Sequence, residues 1–509
     1  MPRTTKKKTA ETNAAPITPR VRRFEAAKFQ PTLGFLPSLY ASFNDELKQD
    51  LPSLRARSRD ASINNPFARR YLKAITTNVI GPHGIQLKMG AKLPNGKPDD
   101  MANYMIEQRW LQFQKSVTTD GKNLREALKL ALETVARDGE IFAVIRKGTQ
   151  FGNYLVNLQF YEAEYVDINH NELAENGNEI RQGIEYDAYG KPVAYHIWRY
   201  HPNSTSVKAT GTNIRVRIPA EEVIHIYNRE RVTQGRGFPW LSAALIPLSH
   251  IHEYTKSELI ASRVASQKMG FFVKPNTTEE NVGDYHDDVD PNAFIQESQA
   301  GSFDVLPQGW QLQTFDPDNP NTNYSQFIKT VLEGVASALG VSYHTLSSDL
   351  SSANYSSLRQ GALEERETYK ECQQLLIEQL LTPLFNQWLT NLIAFQLEGI
   401  RLPMSKFDQF NAPVWRTRVW AAVDPSKDAI AWQIQLDQNL RSRTDVCRSF
   451  GLDYVDVLNE IAQEQALAKE LGVVIEPTAE GSLNQAVIDA IVNSEGKPNT
   501  DDGANPPLQ

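Results

Sequence analysis

The amino-acid sequence predicts an α+β protein, and three features carry that prediction. Helical periodicity alternates with short strand patterns through about the first 230 residues, then gives way at Gly235-Arg236-Gly237 to helical runs of roughly thirty residues. Between two of those runs lies an acidic stretch whose prolines, glycines and short apolar segments read as strands and loops. The 509 residues allow about three or four domains at roughly 150 residues each. Apolar residues make up 40% and charged residues 22%, with mean hydropathy −0.45, a balance that excludes wholesale disorder and collagen-like repetition.

Taken in order, residues 67–80 have helical spacing, and the turn chemistry of Gly81-Pro82-His83-Gly84 separates them from a short strand at 85–87. Asn123 is placed to cap a helix over 124–137, with Glu126 at the reciprocal capping-box position and Leu124, Leu128, Ala131, Leu132 and Val135 on one face. Asp138-Gly139-Glu140 ends it. Strands are predicted at 141–145 and 154–160, a hairpin at 184–186 and 192–200 around the turn 187–190, and further strands at 214–218 and 223–227. From 240 to about 272 the pattern is helical, with Pro247 in its second turn. Short apolar runs at 303–306 and 310–315 suit strands, and helical spacing returns over 324–339 through Phe327, Val331, Leu332, Val335 and Leu339. A Ser/Asn/Tyr-rich loop at 342–357 precedes a second long helix at 359–397, kinked at Pro383. Asp424-Pro425 is an N-cap with proline at the first helical position, opening a helical end at 424–438, near Thr444, and at 453–471, where Gly472 stops the last helix.

Charge is laid out in blocks. Residues 1–23 carry +6 in a segment rich in Thr, Ala and Pro, a flexible basic arm with no apolar run behind its lysines to make a secretory signal. Residues 275–328 contain no Lys or Arg and sum to −10, and residues 476–509 add −5 in a Pro/Asn/Gly-rich tail unsuited to packing. A total of −8 argues against a protein that wraps nucleic acid with a basic face. The longest uncharged run, 379–397, is too polar for a membrane span. Cys372 and Cys447 lie 75 positions apart, which gives neither a zinc spacing nor a disulfide framework and points to a reducing compartment.

The sequence offers no convincing active site. The Gly-Lys pairs beginning at 96, 121, 190 and 496 lack a glycine five positions upstream, so there is no P-loop, and no GxSxG elbow occurs. His250 and His252 are two apart rather than at the i, i+4 spacing of a zinc helix, and a surface or interface role is expected of them. Asp287, Asp288 and Asp290 are clustered as a divalent-ion site requires, but they read more simply as a solvated acidic loop. Asp138 and Glu140 flank a helix-ending glycine and read as structural. No catalytic residue, metal site or cofactor is assigned.

Several segments stand out in order over residues 60–475: Asn64-Asn65-Pro66-Phe67-Ala68-Arg69-Arg70 running into Asn78-Val79-Ile80-Gly81-Pro82; Arg137-Asp138-Gly139-Glu140; Gln234-Gly235-Arg236-Gly237-Phe238-Pro239-Trp240; Leu339-Gly340-Val341-Ser342-Tyr343 with Asn354-Tyr355-Ser356-Ser357; and Val423-Asp424-Pro425 with the final helix through Glu470-Leu471-Gly472. Together they resemble the portal proteins of tailed bacteriophages, specifically the lambda-type portal family. Relatives often have proline after Asp453, where this chain has Tyr454.

The resemblance implies a portal fold: a mixed α/β wing over 26–238 after the arm 1–25, a two-helix stem at 239–273 and 324–341, and a small β-rich acidic clip at 274–323 between the stem helices. A tunnel loop at 342–358, a long wing helix at 359–398, a helical crown at 399–472 and a flexible acidic tail at 473–509 complete it. It further implies a non-enzymatic ring, generally of about twelve subunits in head-to-tail contact, at one capsid vertex of the virion, assembled in the host cytoplasm. Double-stranded DNA passes along the axis of such a ring during packaging and ejection. The implied partners are terminase, a head–tail connector, and the major capsid and scaffold proteins, with no membrane.

An acidic chain suits a conduit. Six to ten Lys/Arg–phosphate contacts shift affinity by about 10³ to 10⁵ over a modest salt change, and a bore that gripped so hard would stall its cargo. Hydroxyls and amides give weak, sequence-blind contacts instead. Ser347, Ser348, Ser351, Ser352, Asn354, Tyr355 and Ser356 are the expected lining, with Lys329 and Arg359 as nearby cations. Glu279, Glu280, Asp284, Asp287, Asp288 and Asp290 are the expected partner-binding acids of the clip. Two other readings remain in view: a metal-dependent DNA-processing enzyme built on Asp287, Asp288 and Asp290, and a monomeric capsid scaffold or adaptor without a bore.

Overall fold

In the computed structural model the described residues are 42–205, 213–266, 270–273, 311–314, 324–351, 355–420 and 425–473. Helices α1 (Phe43–Asn64) and α2 (Pro66–Ile80) lead to strand β1 (Gln86–Met89), and α3 (Asp100–Phe113) and α4 (Leu124–Asp138) precede β2 (Glu140–Lys147) and β3 (Val156–Tyr161). Short strands come next: β4 (Glu172–Leu173), β5 (Glu179–Arg181), β6 (Ile184–Tyr186), β7 (Pro192–Trp198), β8 (Arg215–Pro219) and β9 (Val223–Tyr227). The chain continues through α5 (Leu245–Ser266), β10 (Gly270–Val273), β11 (Gln311–Thr314), α6 (Tyr324–Ala338), α7 (Tyr343–Ser347) and α8 (Tyr355–Leu376). The remaining elements are α9 (Thr382–Ala394), α10 (Phe407–Phe410), β12 (Pro413–Arg416), α11 (Pro425–Asp437), α12 (Arg443–Ser449) and α13 (Tyr454–Leu471). No described helix is long and apolar enough to cross a membrane.

The chain divides into two units. The first comprises Met1–Arg69, Thr134–Ile145 and Phe160–Val331, and the second Arg70–Glu133, Arg146–Gln159 and Leu332–Gln509. In the first, β4 to β8 form an antiparallel sheet in sequence order, and β2 pairs with β9 so that Phe142 lies opposite His225 and Val144 opposite Val223. Alternation along these strands sends Phe142, Val144, Ile184, Tyr195, Ile197 and Ile218 into one core. α1 supports this unit through Leu47, Leu51, Arg55 and Ser58, its buried stripe.

Helix α5 is shorter than the periodicity predicts. Residues 240–244 form turns, and the helix begins at Leu245 so that Pro247 falls in its first turn, where a missing N–H goes unneeded. At the other end Gly270 to Phe272, read as the end of the helix, belong to the strand Gly270–Val273, paired antiparallel with Gln311–Thr314. A glycine followed by Phe-Phe-Val favours strand once a partner is present. α5 meets the start of α6 through the Tyr254 ring, 5.5 Å from that of Tyr324 and 5.3 Å from that of Phe327, and the Tyr324 hydroxyl donates to Thr255 Oγ1 at 3.0 Å.

The second unit is centred on aromatic rings. Trp110 sits edge-on to Trp388 at 5.0 Å, Phe385 at 5.5 Å and Trp415 at 5.7 Å. β1 pairs with β12, placing Leu87 opposite Trp415. The second long helix starts at Tyr355, not 359, and ends at Ala394. At Pro383, where a kink is predicted, one π-helical turn, Ile377–Leu381, is inserted just before the proline. That wider turn absorbs the clash between the Pro383 ring and the preceding carbonyls. α13 matches its prediction closely: Asp453 accepts from the N–H groups of Val455 at 2.9 Å and Asp456 at 3.4 Å, and Gly472 ends the helix at φ +68°.

Candidate nucleic-acid interface

The hydroxyl-rich segment begins where α6 ends in Gly340 at φ +66°. Ser342 Oγ then accepts from Thr345 N–H at 3.2 Å, capping the single turn and a half of α7 that the sequence alone reads as loop. Ser348 adopts the left-handed region at φ 60° and turns the chain back. Asp349 organises the turn around it. Its Oδ1 accepts from Ser351 N–H at 2.9 Å and Ser351 Oγ at 2.7 Å, its Oδ2 accepts from the Tyr343 hydroxyl at 3.1 Å, and its own N–H donates to Ser347 Oγ at 3.1 Å. Its carbonyl lies 2.6 Å from His344 Nδ1.

Beneath this turn Thr345 Oγ1 donates to the buried Glu365 at 2.9 Å, the Tyr369 hydroxyl donates to the other Glu365 oxygen, and Arg70 Nε donates to the Thr345 carbonyl at 2.9 Å. Burial, followed by the Glu365 carboxylate, pushes the Tyr369 phenol well above its ordinary range. A cavity of about 350 Å³ opens here between α2, the segment and α8, lined among others by Arg70, His344, Ser348 and Glu365.

The predicted lining residues do not all share one place. Ser347, Ser348 and Ser351 belong to the Asp349 turn, with Ser348 and Ser351 exposed. Ser352 and Asn354 lie outside the described residues, and Tyr355 and Ser356 belong to the first turn of α8 instead of the loop. Arg359 pairs with Asp428 at 2.8 Å. Lys329 is half-buried on α6 within the first unit. The clip acids Glu279, Glu280, Asp284, Asp287, Asp288 and Asp290 all lie outside the described residues. His250 and His252 are both exposed on α5. Asp349 and Glu365, which order the segment, are not among the expected residues; the Ser-Asp-x-Ser spacing of a side-chain-capped turn is the signal that marks the first.

Two of the charged motifs in the sequence converge in the first unit. Gly139, at φ +93°, packs so closely on Phe238 that a Cβ would lie 2.3 Å from its carbonyl carbon, and Gly237 is equally tight against the Gly139 carbonyl. The closeness lets Glu140 face Arg236. Glu140 is fully buried: its Oε1 accepts from Arg55 Nη2 at 2.5 Å and Arg236 Nε at 2.7 Å, and its Oε2 from Gly237 N–H at 3.0 Å, with His225 Nε2 at 2.8 Å. Arg236, also fully buried, directs its remaining N–H groups to the carbonyls of Val166 at 3.0 Å, Gln182 at 2.8 Å and Ala163 at 3.0 Å. Burial alone would raise the Glu140 carboxyl, but Arg236 and Arg55 hold it well below the usual carboxylate range. Asp138 is likewise held down, against its burial, by Arg137 and Arg59. The Trp240 N–H then donates to the Ala136 carbonyl at 3.0 Å, fixing the chain where it enters α5. The two charged motifs are therefore structural, as the sequence leads one to expect of residues flanking a helix end, and they root the long helix in the β layer. A further group, Glu162, Glu164 and His201, gathers within 4.8 Å, but Glu164 is paired with Arg59 at 2.8 Å and His201 Nδ1 accepts from Asn203 N–H at 3.1 Å.

Comparison with known proteins bears on what this architecture belongs to. The family model described as phage portal protein, lambda family, matches residues 37–373. A probable portal protein of Halomonas phage phiHAP-1 is 33% identical over 443 residues, covering 86% of this chain and 84% of that one. Among solved structures, the neck of a native gene transfer agent particle, computed with C12 symmetry, aligns at TM-score 0.44 and 12% identity over 79% of this chain and 94% of that chain. A HK97 family phage portal protein from Corynebacterium diphtheriae aligns at TM-score 0.32 and 12% identity over 73% and 97%. The molecule is thus of the class of structural, non-enzymatic virion components that make up the portal vertex. The chain belongs to the lambda family of phage portal proteins.

Proposed function

We propose that copies of this portal protein close into a ring of about twelve subunits through which double-stranded DNA is packaged and ejected, and that the 342–358 segment lines the bore. The observation that carries this reading is the chemistry of that segment. It holds seven serines and no Lys or Arg, and its acid is satisfied internally, Asp349 by Ser351 and Tyr343, as is Glu365 beneath it by Thr345 and Tyr369. A hydroxyl-rich segment that carries no cation of its own, with Ser348 and Ser351 exposed and the neighbouring Arg70 donating to the Thr345 carbonyl, offers a moving duplex exchangeable contacts and little to hold it. The acidic stretch 275–328 is suited by its charge to basic surfaces of terminase or of a head–tail connector.

The test adds cations where the lining has none. Ser348→Lys with Ser351→Lys is accommodated within the chain, because both positions are exposed, and native mass of the variant verifies that the ring still forms. Each new phosphate contact steepens the log–log salt dependence of DNA binding by about 0.9, so packaging slows at low salt and recovers at high salt. Packaging at the unaltered rate in low salt refutes the placement of this segment on the bore.

A further inference from the structure

Residues 425–473, which carry α11, α12 and α13, have almost no interior of their own. Among their described residues only Ala468 is buried, while Leu440, Leu452, Val455, Leu458, Leu467 and Leu471 are 44 to 70% exposed. By contrast α9, with thirteen residues, buries seven. Helices of 13, 7 and 18 residues are marginal in water and draw their stability from packing an apolar face. Soluble monomers seldom leave so much apolar surface bare. The segment's placement is nonetheless set: Arg359 pairs with Asp428 at 2.8 Å, Arg416 with Asp453 at 2.7 Å, and Lys88 with Asp456 at 3.0 Å. Ionic pins orient α11 and α13, and leave Leu458, Leu467 and Leu471 of α13 exposed.

The charges on this surface indicate what covers it. α12 presents exposed Arg443 and Arg448, its one acid Asp445 being paired with Arg441 at 2.8 Å, and α13 presents exposed Glu460, Glu464 and Glu470 against the single exposed base Lys469. One segment thus carries a basic patch and an acidic patch, so a copy set head-to-tail against the next brings bases onto acids around the apolar side chains. We propose that the outer surface of residues 425–473 is covered by the same segment of the adjacent copy, and that this part of the protein acquires its core only on assembly. The proposal rests on the ring reading above and names the contact that closes it.

Hydrogen exchange on the full-length protein, compared between dissociated chain and assembled ring, tests it. Amides of α13 exchange at least about tenfold more slowly in the ring. Arg443→Glu with Arg448→Glu removes that protection and weakens association by about tenfold or more, and adding Glu460→Arg with Glu464→Arg in the same chain restores both, since every copy then carries the exchanged patches. All four positions are exposed, and unchanged helix content of the dissociated variants verifies that folding is not at issue. Equal exchange of α13 in ring and dissociated chain overturns the proposal while leaving the ring intact. So does protection that arises only when a different viral protein binds, or assembly untouched by charge reversal. Failure of the unaltered protein to form any ring removes this contact together with the ring.

Discussion

Glu140→Gln keeps the outline of a side chain on which the first unit is organised and removes its charge. The Arg55 and Arg236 side chains are 5% and 0% exposed, so the substitution strands two guanidiniums away from water. Breaking a buried pair in this way costs about 3–5 kcal/mol, and the glutamine amide adds an N–H facing either the two arginines or the donors from Gly237 and His225. At about 1.4 kcal/mol per tenfold, the equilibrium for opening β2 and β9 rises by roughly 10² to several times 10³. Native-state hydrogen exchange at Ile141 to Val144 and Val223 to Ile226 reads that constant directly. Glu367→Gln, which removes an exposed partner of Lys370, serves as the control and changes stability by no more than about 0.5 kcal/mol. A loss below about 1 kcal/mol at Glu140 refutes the claim that the buried network holds this unit together.

The same geometry fixes three other outcomes. Gly139→Ala has neither the backbone freedom nor the space that φ +93° and the Phe238 backbone demand, and it costs at least about 2–3 kcal/mol, seen as lost soluble yield and a lower melting temperature. Asp349→Ala frees the Ser347–Ser351 turn and accelerates proteolytic cleavage there, while global unfolding shifts by no more than about 1 kcal/mol. Burial holds His225 below its ordinary value of 6.5 despite Glu140, and Glu140 lies below its ordinary 4.5. In both cases the folded state binds fewer protons than the unfolded chain. Stability is therefore complete above about pH 6.5, declines below it as His225 resists charging, and falls further as Glu140 is forced to protonate; urea midpoints across that range check the slope, and His225→Gln flattens its upper part.

The legible parts of the fold are those marked by local chemistry. Asn123 caps α4 as its position predicts, with the N–H of Glu126 donating to Asn123 Oδ1 at 2.9 Å, and Gly472 ends the last helix. α1 is hidden in the sequence because its buried stripe runs Leu47, Leu51, Arg55, Ser58: the spacing is helical, but a charged residue occupies a core position and Pro52 interrupts the pattern. In α3 the buried Ala102, Ile106, Trp110 and Phe113 are regularly spaced, yet exposed Met101, Tyr104 and Leu111 blur the face. Periodicity makes α5 too long since Phe271 and Phe272 extend its apolar run, and the strand that claims them, Gln311–Thr314, lies about forty positions away. The serines of the proposed bore segment are visible from composition. The partnership of Glu140 with Arg236, 96 positions apart, is not, because no local pattern reports which buried charges meet.

Electron cryomicroscopy of the purified full-length assembly tests the central claim most directly. The expected result is a closed ring whose central opening is rimmed by residues 342–358, with Ser348 and Ser351 toward the axis. A ring that carries this segment on its outer surface contradicts it.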